Sequence, residues 1–217
     1  MKSYAIIGLG RFGSHIAEKL YEQGSEVLAI DINDSLVEAI SDRVTRAVVA
    51  DAKNREVLRG LGIRNCDCVI VAIASDLASS VLITMNLKSL GILNIICKAH
   101  DDTHREILEK LGANNVIIPE RAVAEKLAKS LTSPDVLEYI NLSEHHGIIE
   151  LKAPLKWREK TIRELNVRAK YNVNIIAVKQ KSGIKVSPGA DHVIEENDIL
   201  VLLGRYDALD KIEKQIR

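Results

Sequence analysis

Residues 3–13 read SYAIIGLGRFG, a short apolar run that ends in glycine and passes straight into the pattern Gly8-x-Gly10-x-x-Gly13. Alone, three glycines at this spacing mean little. Here they follow a predicted strand, open a predicted helix, and are answered by Asp31, which closes the next apolar run 18 residues after Gly13. In that context the pattern is the phosphate-binding turn of a dinucleotide-type fold. Each glycine has its own task. Gly8 permits the tight turn, Gly10 lets the backbone approach a phosphate, and Gly13 lets the helix sit close to the sheet. The helix start then offers free N–H groups and a partial positive charge. Asp31 is placed to bond a ribose diol and to repel a 2′-phosphate, which disfavours NADP. NAD, ATP and ADP carry the same free diol, so Asp31 does not choose among them.

Outward from this loop the strand–helix unit repeats. The spacing of Phe12, Ile16, Leu20 and Tyr21 predicts a helix over 11–23. Apolar strands are predicted at 26–31, 43–51, 67–75, 93–100 and 114–119, with helical segments between them. Six strands alternating with five helices predict an α/β fold, a doubly wound parallel Rossmann-like sheet with right-handed crossovers. Residues 120–131 form one more amphipathic helix, and Thr132-Ser133-Pro134 is a break. The predicted domains are therefore 1–133, including that linker helix, and 134–217. The second region reads as a smaller α+β domain with partly antiparallel strands. It has strands at 146–154 and 172–180, a hairpin partner after Lys181-Ser182-Gly183, and a strong strand ending at Gly204. A polar connection at 154–160 contains Trp157, a short helical stretch follows at 161–171, and a helix ends the chain.

Composition narrows the function. The 217 residues carry 30 Lys+Arg and 30 Asp+Glu, so the formal net charge is zero, which speaks against a general nucleic-acid binder. With 47% hydrophobic residues and 4 prolines the chain is not disordered. Aromatics are 3%, so the core must be aliphatic. Cys66, Cys68 and Cys97 form no metal-ligand spacing and read as small buried hydrophobes in a reducing compartment. No apolar run reaches the ~20 residues of a membrane span. No Walker A sequence, nucleophile elbow or metalloprotease motif is present, so no enzymatic activity is expected.

Ligands of open α/β sheets bind beyond the carboxyl ends of the strands. Those ends carry Asp51-Ala52, Ile73-Ala74-Ser75 and Lys98-Ala99-His100. Asp51 reads as an adenine contact or as a turn acid at a helix start. Lys98 emerges from an apolar strand, where a lysine is costly unless paired. His100 and His104 lie four apart at a helix start and read as nucleotide contacts or as surface histidines. Glu120, beside Pro119, reads as a ligand for a divalent cation or as a helix-start carboxylate. Arg11, within the glycine loop, can clamp a phosphate with its guanidinium, in its own site or in a neighbouring subunit's.

Together GLGRFG (8–13), Asp31, VVADA (48–52), CVIVAIAS (68–75), IICKAH (95–100) and IIPER (117–121) resemble an RCK (KTN) domain. RELNVRAKYNVNIIAVKQ (163–180) with SP (187–188) and DILVLLG (198–204) is similar to the smaller RCK C-terminal domain. The resemblance covers essentially the whole chain and points to the cytosolic gating subunits of bacterial Ktr-type potassium transporters. It implies a regulatory subunit in which ATP activates and ADP inactivates. It also implies NAD(H), a divalent cation (Mg or Ca) and cyclic di-AMP as further ligands. The nucleotide site would comprise Gly8, Gly10, Arg11, Phe12, Gly13, Asp31, Ile32, Asn33, Asp51, Ala52, Ile73, Ala74, Ser75, Lys98, Ala99, His100, His104 and Glu120. Glu120 would also touch the cation. Cyclic di-AMP would meet Ile162, Arg168, Asn174, Ile175 and Pro188. The implied partners are a membrane potassium-translocating subunit of the KtrB/KtrD type and further copies of the chain, as dimers in an octameric ring. The location would be cytoplasmic, peripheral to the membrane through the pore partner. The alternative is an NAD(H)-binding redox sensor or oxidoreductase, against which stand the short second domain and the lack of an evident acid–base pair.

Overall fold

The apolar runs are too short for buried helices and fold as strands. A computed structural model describes residues 1–132 and 136–214. In it, β1 (Ser3–Ile7), β2 (Glu26–Asp31), β3 (Arg46–Val49), β4 (Cys68–Val71), β5 (Ile95–Lys98) and β6 (Asn115–Ile117) form one sheet in the order β3-β2-β1-β4-β5-β6. Every pairing in it is parallel. The predicted doubly wound sheet is thus present. All four residues of β4 are buried, as a central strand covered on both faces requires. One face packs Val69, Val71, Leu87, Ile95 and Leu108, and the other packs Ile6, Ala17, Val27, Ala29 and Ile70.

The crossover helices are α1 (Arg11–Glu22), α2 (Asp34–Ile40), α3 (Arg55–Gly60), α4 (Leu77–Ser89) and α5 (Asp102–Lys110). A helix start leaves amides without partners. Asn33, Asn54, Asp76 and Asp101 each accept a first-turn amide at the starts of α2 to α5. The start of α1 differs: its cap is Gly10, which has no side chain to offer.

The chain forms two compact units, 1–122 and 123–217. The division falls inside α6 (Pro119–Thr132), earlier than the boundary expected after residue 133. Lys126 pairs with Glu138 at 3.4 Å, which ties the later turns of this helix to the second unit. Ser133 and Pro134, the expected break, lie outside the described residues.

In the second unit β7 (Val136–Asn141), β8 (His146–Lys152), β9 (Asn174–Gln180), β10 (Gly183–Val186) and β11 (Ile199–Arg205) pair in the order β10-β9-β11-β8-β7. Every pairing is antiparallel, where a partly antiparallel sheet was expected. Strand β7 has no counterpart in the sequence reading. It is an edge strand with Leu137 and Ile140 exposed, so its apolar residues do not alternate cleanly. The helical stretch after Thr161 is two helices, α7 (Ile162–Leu165) and α8 (Val167–Tyr171), split at Asn166, which takes a left-handed φ of 45°. The final helix is α9 (Tyr206–Glu213). Trp157 does not sit in a polar connection. It is buried among Leu151, Leu165, Val167 and Leu202.

Because Trp157 is the only tryptophan, its fluorescence reports on this core alone. Leu202, fully buried in it, tests the packing. Leu202→Ala should cost about 2–5 kcal/mol and lower the urea midpoint of the Trp157 transition. An unchanged midpoint would contradict the assignment of Leu202 to the core.

Candidate functional site

The carboxyl ends of the strands are held level by ladder bonds that run past them. Gly8 N donates to Ile30 O, Ala72 N to Ile7 O and Ala50 N to Asp31 O, at 2.8–2.9 Å. Beyond them opens a cavity of about 330 Å³. It sits where β1 and β4 lie side by side and the strand order reverses, the switch point at which such sheets bind ligands.

The glycine loop forms one wall, and the three glycines differ in kind. Gly8 has φ 96°, and a Cβ there would lie 2.7 Å from Ile73 Cγ1. At Gly13 a Cβ would lie 1.8 Å from the Gly8 carbonyl oxygen, so α1 sits against β1 only with glycine in that place. Gly10 meets neither constraint. Its φ is −64°, and a Cβ would find nothing within 4 Å. The protein's own packing does not require glycine there. No side chain caps the start of α1 and no acidic residue occupies its first turn, so its positive end is left uncompensated next to Gly10 of the cavity wall.

Asp31 is half-buried and ties the loop to β2. Its Oδ2 accepts the Leu9 amide at 2.6 Å and its Oδ1 accepts the Asn33 amide at 2.9 Å. Each carboxylate oxygen keeps capacity for a further donor such as a diol hydroxyl.

Of the expected residues, Gly8, Gly10, Asp31, Ile32, Asp51, Ala52, Ile73, Ala74 and Ser75 line the cavity together. The others do not line it. Gly13 is buried behind the loop. Asn33 caps α2. Ala99 is buried, and its amide donates to Ile117 O at 2.8 Å. Arg11 is exposed on the first turn of α1. Lys98 and Glu120, read separately in the sequence, are partners. Nζ lies 2.6 Å from Oε1, and the ammonium stands 5.7 Å from the centre of the Phe12 ring. The hydrogen bond from Lys98 holds the Glu120 carboxyl below its ordinary value. Glu120 is thus engaged, and among the described residues no group of three or more His, Cys, Asp or Glu is arranged to hold a metal ion. The implied cation does not fit the residues of one chain. His104 is buried and bonded to Ser80 rather than lying on the surface.

Sequence reasoning missed Lys53, Asp76 and Ser79, which also line the cavity. Asp76 accepts from Ser79 N at 3.1 Å and Ser79 Oγ at 2.5 Å, and these bonds hold its carboxyl below the ordinary value. The signal was available, because Asp-x-x-Ser ahead of an apolar run is a helix start. The residues expected to meet cyclic di-AMP fall on α7 (Ile162), α8 (Arg168), β9 (Asn174, Ile175) and the segment after β10 (Pro188).

No helix among the described residues is long and apolar enough to cross a membrane. Residues 4–119 match the TrkA-N domain and residues 147–217 the TrkA-C domain. Over 214 residues the chain is 44% identical to Ktr system potassium uptake protein A of Bacillus subtilis (strain 168), covering 99% of this chain and 96% of the relative. It is 40% identical over 215 residues to Ktr system potassium uptake protein C of the same organism, covering 99% and 97%. Among solved structures the GsuK channel superposes with a TM-score of 0.72 at 22% identity, a likeness of fold. That match covers 99% of this chain and 39% of the channel chain.

Two outcomes test the site's construction. Gly13→Ala should cost about 3 kcal/mol or more, a fall of roughly 6–12 °C in Tm, whereas Gly10→Ala should stay within about 1 kcal/mol. Equal losses would remove the distinction between packing glycine and ligand glycine. Glu120→Gln strands the partly buried Lys98 ammonium and should lower Tm more than Lys98→Met, which removes the cation itself. The reverse order would mean that the pair does not hold Lys98 in place.

Proposed function

Since the chain belongs to the family built from a TrkA-N and a TrkA-C domain, we propose that it is a regulatory subunit of a membrane potassium uptake system and reads adenine nucleotides in the cavity beyond β1 and β4. The observation that carries this reading is Gly10, a glycine that the fold itself does not use, at the uncapped start of a helix and in one cavity wall with the Asp31 carboxylate. The residues fit a nucleotide. Phosphates meet the amides of Gly10 and the first turn of α1, Asp31 takes the ribose diol, and Asp51 and Ala52 flank the base. At about 330 Å³ the cavity lies at the small end of ligand pockets, which favours a mononucleotide over a dinucleotide.

ATP and ADP differ by one phosphate and its charge. An exposed guanidinium on the first turn of α1 is suited to read that difference from its own site or from a neighbouring copy. ATP then favours the active arrangement of a homo-oligomeric ring, dimers assembling into an octamer, and ADP the inactive one. A ligand shifts such an equilibrium only by its difference in affinity for the two states. The ring acts on a membrane potassium-translocating subunit from the cytoplasmic side. Cyclic di-AMP inhibits through Ile162, Arg168, Asn174, Ile175 and Pro188 of the second unit. The protein carries no enzymatic activity, and ATP is a signal rather than a substrate.

The test is calorimetric titration of nucleotide-stripped protein with ATP, ADP, NADH and cyclic di-AMP, with light scattering for particle size. At about 100 times its Kd, ATP should add roughly 2.7 kcal/mol of stability, on the order of 5–11 °C in Tm. Arg11→Ala should lose the preference between ATP and ADP while keeping adenosine binding, and Gly10→Ala should lose both nucleotides with the fold intact. Binding of NADH alone, to a dimer, would overturn the reading in favour of a redox protein.

A further inference from the structure

The histidines at the start of α5 stand outside the cavity lining and form a cluster of their own. His104 is 1% exposed, and both of its ring nitrogens are engaged. Nε2 lies 3.2 Å from the Oγ of Ser80 on α4, which is itself fully buried. Nδ1 lies 2.9 Å from Nδ1 of His100. The other nitrogen of His100, Nε2, lies 3.0 Å from Asp101 Oδ2 at the protein surface. The chain Ser80–His104–His100–Asp101 therefore runs from the buried face of α4 to solvent.

We propose that His100 and His104 form a one-proton store that reverses the hydrogen bond to Ser80 as pH falls and so makes the nucleotide unit responsive to acid. The argument is a count of hydrogens. A contact between two imidazole nitrogens holds one hydrogen. With both rings neutral, the Ser80 hydroxyl donates to His104 Nε2, His104 Nδ1–H donates to His100 Nδ1, and His100 Nε2–H donates to Asp101. Every nitrogen is then satisfied. One proton taken from solvent at His100 Nδ1 is accommodated if the hydrogen of His104 moves from Nδ1 to Nε2. His100 becomes the imidazolium, held beside the Asp101 carboxylate, and donates to His104 Nδ1. His104 stays neutral with its tautomer inverted and donates to Ser80 Oγ. The Ser80 hydroxyl then turns to the Asp76 carbonyl one turn back, which already receives the Ser80 amide at 3.0 Å. A second proton would set two N–H groups against each other 2.9 Å apart, with two positive rings together, and is refused.

The surroundings support this account. Asp101 is the carboxylate in contact with the pair, while Asp102 is held by Arg121 at 2.6 and 2.8 Å. Lys98 of β5 is bound to Glu120 of α6. From α4 come the hydroxyls of Ser80 and Thr84, and from β5 comes the Cys97 thiol, 3.4 Å from Thr84 Oγ1 and pushed up to about 11 by burial. Arg105, the next residue on α5, is a neighbouring cation. Burial, and next the charge of His100, hold His104 below the ordinary histidine value. An unfolded chain protonates this histidine near its ordinary value of about 6.5 and the folded one resists. Stability from this site is therefore present above that pH and lost as pH falls below it.

Ser80 lies one residue beyond Ser79 and four beyond Asp76, both in the cavity wall, and His100 closes the β5 end of the same sheet edge. The stored charge thus appears on the side of the sheet where the cavity opens. That last consequence rests on the nucleotide reading of the cavity, whereas the proton chemistry does not.

The decisive experiment is nitrogen-resolved NMR of the histidine rings in the full chain from about pH 8 to about pH 5.5, the range in which histidine titrates. His104 should pass from the Nδ1–H to the Nε2–H tautomer without becoming imidazolium, in step with charging of His100. In His100→Gln, where residue 100 is exposed and the fold should persist, the His104 tautomer should stay fixed. Charging of His104 together with His100, a constant tautomer in the wild type, or a His104 titration unaltered by His100→Gln would each overturn the proposal. ATP affinity at pH 6 and pH 8 in low salt forms a second arm, with His100→Gln cancelling the ligand's own titration. The acid–base ratio of affinities should be about two-fold or more larger in the wild type than in the variant. If ATP binds at neither pH, the nucleotide reading fails and the ring spectra still decide the proton store.

Discussion

Helix α1 meets the end of β1 where Gly13 lies so near the Gly8 carbonyl that no side chain fits between. The rest of the site depends on this contact. It sets where α1 begins and therefore where its unpaired amides point. It also places Leu9 so that its amide reaches the Asp31 carboxylate, which locks the loop to the neighbouring strand. A single side chain at position 13 would displace the helix, the loop and the acid together.

Around that fixed corner the electrostatics are uneven. Asp31, Asp51 and Asp76 face the cavity with one lysine, Lys53, which stands 4.0 Å from Asp51. The start of α4 is closed by the Asp76 carboxylate, whereas the start of α1 is open. An anion entering the cavity thus meets one favourable end and several unfavourable ones. On the nucleotide reading proposed above, this asymmetry would favour one orientation, phosphates towards α1 and diol towards Asp31. Arg11, exposed on the first turn of α1, places a guanidinium beside the favourable end.

The parallel sheet was legible in the sequence because its runs are continuous, apolar and punctuated by glycine or by Asx caps. The glycine loop and Asp31 were legible because the glycine spacing falls between a strand and a helix and is answered by an acid at the end of the next strand. Other features were hidden for physical reasons. Lys98 and Glu120 are 22 residues apart, and only the adjacency of β5 and the start of α6 makes them partners. His104 looks like a surface residue until α4 covers it. Asp76 was passed over because a capping acid and a cavity acid carry the same signature in sequence. Strand β7 escaped because an edge strand shows apolar residues on both faces. Trp157 sits among lysines and arginines in sequence, yet its ring reaches the core.

The thiol behind the histidine cluster has a further consequence. Cys97 is fully buried, and its ionisation is pushed up to about 11 by burial, so the thiol form prevails at neutral pH. Cys68, on β4 and in the core on the other face of the sheet, is also buried and also raised. An accessible thiolate attacks peroxides and disulfides, whereas a buried thiol does not. Cys97 and Cys68 are therefore poor targets for oxidants. Oxidative stress that would rewrite a sensor built on exposed thiolates leaves these two sulfurs reduced.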